Sequence, residues 1–403
     1  MIKGIAEALG LQGLIVYGQD VSEGRIVVRV GRLGRPGRCP RCGSHQISEH
    51  SRAKGPRLKL HGRVMNRLVY LETWPRRFRC SGCQRTFTEP LPGIDPWQRR
   101  TRAAEAQLLE EARDRSLSAA GRRFSLGYHA VRHSLLRFQE DAGVKMLEGI
   151  RGPLRLGIDE HSFRGRDMAV TVTLLHPVRQ VVSILPDDKK VTVMGFLSHL
   201  PGSVRDQIAE VCIDMRPSFK GAVEITLPGA MVVVDHFHVI QDANKRVELA
   251  RLLEQEPGHR SIPRWSLIKN SEDLTQRQKD ELAYILRKYP RLKGFYWVKE
   301  SLRAFYKADS TKEAATILDR IILNARCGDD PELHIWARTL RRWRNELLNY
   351  FSSHTTNAYT EGVHTKIKWL KRTSFGFRNM EIYTKRLLLA FLPTVSPVPL
   401  HTY

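Results

Sequence analysis

The sequence predicts an α/β domain on a partly parallel sheet, carrying a long helical insertion and preceded by a cysteine-rich metal module and a small set of helices. Three observations predict it. Apolar, β-branched runs end on acids in "LRLGID", "AEVCID" and "MVVVD", with helix-like stretches between them. Two C-x-x-C pairs lie near the N-terminus. Finally, 66 Lys plus Arg stand against 42 Asp plus Glu in 403 residues, a formal charge of +24 with a pI near 10.1.

The length allows two or three domains. A hydrophobic share of 41% and a charged share of 27% fit a soluble globular protein. No apolar run reaches the length of a membrane span. The opening "MIKGIAEALGLQGLIVYG" has one lysine and no small-residue cleavage site, so it reads as mature protein rather than a signal peptide. A cytoplasmic, nucleoid-associated location is expected. The charge excess points to a polyanionic partner, nucleic acid before an anionic membrane, because no basic amphipathic helix with exposed aromatics stands out.

Residues 1–95 read as a zinc-binding module with N-terminal strands. "CPRC" supplies Cys39 and Cys42, and "CSGC" supplies Cys80 and Cys83. Each spacing lets two thiolates reach one tetrahedral ion, and four thiolates leave it no open position, so structural Zn2+ is expected over redox cysteines. The gap between the pairs is long, and "NRLVYLETW" alternates as a strand that would fill it as a hairpin. Cys212 and Cys327 stand alone and read as ordinary small buried residues.

Residues 96–148 change to helical spacing. Pro96 reads as the opening of a helix that runs to about residue 115. A short helix over 118–124, a Ser125-Leu126-Gly127 turn and a third helix from Tyr128 follow, with Val131, Leu135 and Phe138 on one face. That order fits a helix-turn-helix, with His129, Arg132 and His133 as the residues offered to DNA, against the blander reading of a plain helical connector.

From 149 to 393 the expected order is strand, hairpin strands, helix, strand, helix, strand, then a helical insertion over about 240–352. Parallel strands bring their carboxyl ends to one edge. Asp159, Asp214 and Asp235 lie at such ends, although a lone strand-end Asp is more often a cap or turn residue. Paired carboxylates repel unless cations neutralise them, and magnesium bound through oxygen is the natural answer. Trp336, Leu340, Trp343 and Leu347 form an apolar stripe at helical spacing, with Arg338, Arg341, Arg342 and Arg344 opposite it. Residues 394–403 read as a flexible Pro-rich tail.

This is the architecture of the ribonuclease H-like fold. The four-cysteine module, the helix-turn-helix, "GIDEHSF", "CIDM", "VVVDHFHV" and "TEGVHTKIKWLKRTSFGFRNMEIY" together resemble the ISL-three family of bacterial insertion-sequence transposases, from about residue 36 to about 390. The resemblance implies a DDE transposase that binds the terminal inverted repeats of its element and cuts and joins DNA with Mg2+ or Mn2+. It implies a third acid on a late helix, which Glu361 matches, so that Asp159, Asp214 and Glu361 would hold the catalytic ions. Asp235 and His238 resemble a D-x-x-H signature beside the second acid in related branches, which leaves Asp214 or Asp235 as the second ligand; strand order favours Asp214. Lys366, Lys368, Lys371 and Arg372 after Glu361 are expected to meet double-stranded DNA, and a homo-oligomer is expected in the DNA complex. Two other functions fit the same features: a zinc-finger transcription regulator, and a ribonuclease H-like nuclease without strand transfer.

Overall fold

A computed structural model describes residues 3–32, 34–95, 97–138, 141–255 and 261–392. The chain divides into two compact units, Met1–Gly143 with Lys366–Tyr403, and Val144–Thr365. Pro96 and the tail from residue 393 lie outside the described residues.

The first unit begins with α1 (Lys3–Ala8) and seven strands: β1 (Ile15–Val21), β2 (Arg25–Gly31), β3 (Ile47–Arg52), β4 (Arg57–Val64), β5 (Arg67–Thr73), β6 (Arg76–Cys80) and β7 (Thr86–Thr88). One sheet runs β1-β2-β5-β4 and a second runs β3-β6-β7. β4 and β5 form the antiparallel hairpin expected between the cysteine pairs. Alternation in "RLVYLET" turns Val69 and Leu71 inward against Val28, each removed from water.

Three helices follow: α2 (Arg102–Ala112), α3 (Leu117–Arg123) and α4 (Tyr128–Leu136). The first starts later and ends sooner than the sequence predicts. Residues before it are tied to β4, with the Leu60 N–H donating to Arg99 O and the Thr101 N–H donating to Leu60 O, both at 2.9 Å. The helix can begin only once that bridge ends, and the Thr101 side chain then caps it by accepting from the Ala104 N–H. Gly127 at the start of α4 and the buried faces of Val131, Leu135 and Phe138 agree with the expected turn and stripe.

The same unit holds α17 (Met380–Phe391). Its residues from Ile382 to Ala390 are buried almost all round, and such a helix needs partners on several sides. It finds them near α2 and α4: Arg386 Nη2 donates to Arg115 O at 2.9 Å and Lys385 Nζ to Phe138 O at 3.5 Å.

After α5 (Ala142–Glu148), the second unit carries β8 (Leu154–Arg164), β9 (Asp167–His176), β10 (Gln180–Leu185), α6 (Lys190–His199), α7 (Gly202–Arg205), β11 (Ile208–Ile213), α8 (Pro217–Thr226), β12 (Met231–Val234) and α9 (His236–Leu253). The sheet runs β10-β9-β8-β11-β12, antiparallel from β10 to β8 and parallel from β8 to β12. Leu156, Ile158, Val211, Ile213 and Val234 are fully buried in it, and each such side chain contributes about 1.5–3 kcal/mol relative to exposure.

The insertion continues through α10 (Arg264–Ile268), α11 (Gln276–Lys288), α12 (Pro290–Phe305), α13 (Thr311–Cys327), α14 (Pro331–Arg342) and α15 (Arg344–Ser353), before α16 (Ala358–Thr373). Trp336, Leu340, Trp343 and Leu347 are all buried, so the stripe is core, interrupted at Trp343 between α14 and α15. Arg344 is spent on Asp319 at 2.8 Å. Cys327 corrects an expectation: it is exposed, because it lies past the buried face of α13, which ends at Ala325.

Candidate active site

Register builds the site. Ile158 of β8 pairs with Ile213 of β11, and Ile213 pairs with Val234 of β12. The next residue on each strand is an aspartate, so Asp159, Asp214 and Asp235 form one row across three neighbouring strands. β8 itself does not end at Asp159; it runs on against β9, with Asp159 opposite Thr171. Only its parallel pairing stops there.

The usual reasons for a strand-end Asp do not apply. Asp235 occupies the N-cap position of α9, yet its carboxylate makes no capping bond. Asp214 precedes a helix whose N-cap is Arg216. Both side chains turn into one cluster instead. His238 Nε2 lies 3.0 Å from Asp214 Oδ1, 3.7 Å from Asp159 Oδ2 and 3.9 Å from Asp235 Oδ2. Glu361, in the first turn of α16, completes it: ligand atoms of Asp159, Asp214 and His238, and likewise of Asp235, His238 and Glu361, lie within 4.8 Å of one another.

Four carboxylates face one imidazole. Burial pushes the Asp214, Asp235 and Glu361 carboxyls above their ordinary values. Burial also disfavours the charged His238 ring, but Asp159 and Asp214 outweigh it and push the imidazole up to about 10. One imidazolium cannot balance four acids, and beyond the Asp214 Oδ1 that it reaches, Asp235 Oδ2 and Glu361 Oε1 are buried without a hydrogen-bond partner. Oxygen donors left this way fit a hard divalent cation.

The four cysteines also converge. Cys39 and Cys83 Sγ lie 3.8 Å apart and Cys42 and Cys80 Sγ 3.6 Å apart, with all four sulfurs within 4.8 Å. A tetrahedron with zinc–sulfur bonds of about 2.3 Å has edges of about 3.8 Å, so the set fits.

The family model for DDE-type ISL3 proteins, described as transposase, matches residues 156–387. This chain belongs to the ISL-three family of transposases. The transposase for insertion sequence element IS1001 of Bordetella parapertussis is 27% identical to it over 335 residues, covering 80% of this chain and 81% of its own. The transposase for IS1557 of Mycobacterium tuberculosis is 29% identical over 254 residues, covering 56% and 57%. A chain of the Drosophila P element transposase strand transfer complex superposes with a TM-score of 0.38 at 12% identity, covering 72% of this chain and 91% of that one, which adds nothing to the assignment. Family membership makes the chain an enzyme of DNA transposition, and its DDE chemistry implies a divalent metal. All four clustered acids lie inside the matched residues.

His364 and Thr171 were not singled out by sequence. His364 follows Glu361 by three places on α16, and its Nδ1 lies 3.5 Å from Asp159 Oδ2. Its Nε2 and the Nδ1 of His161 both lie 3.0 Å from Thr171 Oγ1, so Thr171 links two imidazoles behind the first acid. The i, i+3 spacing from Glu361 was the available signal for His364. Glu160 points away from the cluster and pairs with Arg216, which also reaches Asp188 at 2.9 Å.

The residues offered to DNA are not equally free. His129 and His133 are exposed, whereas Arg132 is half-buried. Lys368 and Arg372 are exposed and Lys371 is half-buried. Lys366 also has partners within the chain: its ammonium donates to Ala390 O at 3.2 Å and sits 5.2 Å from the Phe391 ring centroid. It holds the end of α17. Lys366→Ala is therefore expected to lower the melting temperature and leave DNA affinity within about twofold, whereas Arg372→Ala should weaken binding and flatten its salt dependence by about one counterion. Fluorescence anisotropy across a salt series, with thermal melts, checks both.

Proposed function

We propose that this transposase binds the terminal inverted repeats of its own insertion sequence and performs metal-dependent strand cleavage followed by strand transfer, with its second unit as a ribonuclease H-like catalytic domain. The row of Asp159, Asp214 and Asp235 across three parallel strands, closed by Glu361, carries this reading. The strand order, with a hairpin ahead of the strand–helix–strand part, supports the fold.

In this reading Asp159, Asp214 and Glu361 bind Mg2+ or Mn2+, and the four cysteines hold Zn2+. Bound divalent ions supply the charge that stabilises attacking and leaving oxygens at phosphorus. Asp235 contributes its buried carboxylate beside Glu361, so it is a ligand candidate together with Asp214. His238 spans both pairs and keeps the acids from repelling one another apart. His364 and Thr171 orient Asp159. Water, then the freed 3′-hydroxyl, is the nucleophile that the cluster aligns with the scissile phosphate.

End recognition falls to the zinc module and to α3 and α4. Full-length protein is expected to bind an end duplex more tightly than a random one. Arg132→Ala should cost about 1–3 kcal/mol of that preference if α4 enters the major groove. Competition binding measures it; an unchanged preference in the variant removes α4 from the reading. A homo-oligomer that pairs the two ends is part of the proposal, and light scattering of the end complex tests it.

A further inference from the structure

We propose that Asn357 is the positioning residue that sets Glu361 against the row of three aspartates. The inference rests on the catalytic reading above. Helix α16 reaches the sheet only after the insertion of α9 to α15, so its register against the acids is not fixed by local sequence. A specific contact has to fix it.

Asn357, immediately before α16, is completely buried. Its amide Nδ2 donates to Ile158 O at 3.5 Å and to Cys212 O at 3.4 Å, one residue before Asp159 and two before Asp214. Its backbone N–H donates to Asp235 Oδ1 at 3.3 Å. Its carbonyl accepts the Glu361 N–H at 3.0 Å. One residue thus touches the backbone beside two acids, the carboxylate of a third and the turn that bears the fourth.

A capping role alone does not explain this. A capping side chain accepts from N–H groups of its own helix, whereas this amide donates to two strands. Aspartate has no N–H to donate and would add a negative charge beside Asp235. The sheet also makes room for the amide. A methyl on Gly157 would collide with Asn357 Oδ1 and come within 2.7 Å of Thr173 Oγ1 and 3.0 Å of Thr360 Oγ1. Thr173 and Thr360 share a buried hydrogen bond of 2.8 Å, which pins the residue before Glu361 to β9.

The test uses full-length protein, Mn2+ as the probe, and two readouts: Mn2+ affinity from the electron paramagnetic resonance signal of free ion, and nicking of an end duplex against Mn2+ concentration. Asn357→Ala is expected to weaken Mn2+ binding by about 10–100-fold and to raise the half-maximal Mn2+ for nicking in parallel, as removal of a ligand-orienting partner does. End-duplex affinity should stay within about twofold, since contacts to the DNA backbone lie elsewhere. Asn357→Asp should fare no better. Wild-type Mn2+ affinity and an unshifted nicking midpoint in a folded Asn357→Ala protein would overturn the proposal. Should that variant prove unfolded by circular dichroism, Gly157→Ala takes its place, and a folded Gly157→Ala protein with wild-type Mn2+ binding overturns it equally. If Glu361→Gln nicks like the wild type, the catalytic reading itself has failed, a result separate from either Asn357 outcome.

Discussion

Asp159→Ala is expected to lower the rate of end cleavage by at least about a thousandfold, or ~4 kcal/mol of transition-state stabilisation, while end binding stays near wild type. Asp159 is almost wholly buried at one end of the row, with His238 and His364 both close to Oδ2. No neighbouring acid can swing into its place from a rigid strand. Loss of folding is not the expected cause. Burial raises the Asp214 and Asp235 carboxyls and the Asp159 charge repels both, so its removal relieves that repulsion while taking one partner from His238, and the melting temperature in chelator should change little. Rate measurements on labelled duplex, paired with thermal melts, check both halves. A large fall in melting temperature would attribute the lost activity to structure instead.

Cys80→Ser is expected to release zinc and unfold the β3-β6-β7 sheet. The buried cluster there consists of Cys39, Phe78, Cys80 and Phe87, two of them from the four-cysteine set. A core that small does not support itself, and structural zinc supplies about 10–16 kcal/mol in isolated fingers. Elemental analysis should find one zinc per wild-type chain and none in the variant. End binding should be lost with the metal, by about a hundredfold if the module supplies specific contacts. Retained zinc and retained binding in Cys80→Ser would show that the sulfurs converge without a structural ion.

Much of this site could be read before the fold was seen, because its parts obey local rules. Strand spacing placed Asp159, Asp214 and Asp235 at comparable positions, and C-x-x-C spacing grouped the four thiols, whose sulfurs do converge. Glu361 could be reached only through resemblance, since "TEGVHTKIK" alone is an ordinary basic helix. What sequence left open depends on register and on partners far along the chain. The row of three acids exists because Ile158, Ile213 and Val234 pair side by side, and pairing register is not written in any one strand. Both candidates for the second ligand, Asp214 and Asp235, come to the cluster for the same reason, and both face His238. Asn357 gave no signal: a lone Asn before a helix reads as a cap. Helix α2 started late because β4 holds the residues ahead of it, and the bond from the Lys366 ammonium to Ala390 O depends on a residue 24 places away. Cys327 looked like any small buried residue until the face of α13 was known.

The most direct test of the catalytic assignment is a cleavage-and-joining assay on a labelled element end with a second, unlabelled duplex, in magnesium, comparing wild type with Asp159→Ala, Asp214→Ala, Asp235→Ala and Glu361→Ala. The expected result is nicking at the element end and joined product from the wild-type protein alone, with all four variants still binding the end. Nicking at the wild-type rate by Asp159→Ala and Glu361→Ala would contradict the account, because the clustered acids would then not be the catalytic centre.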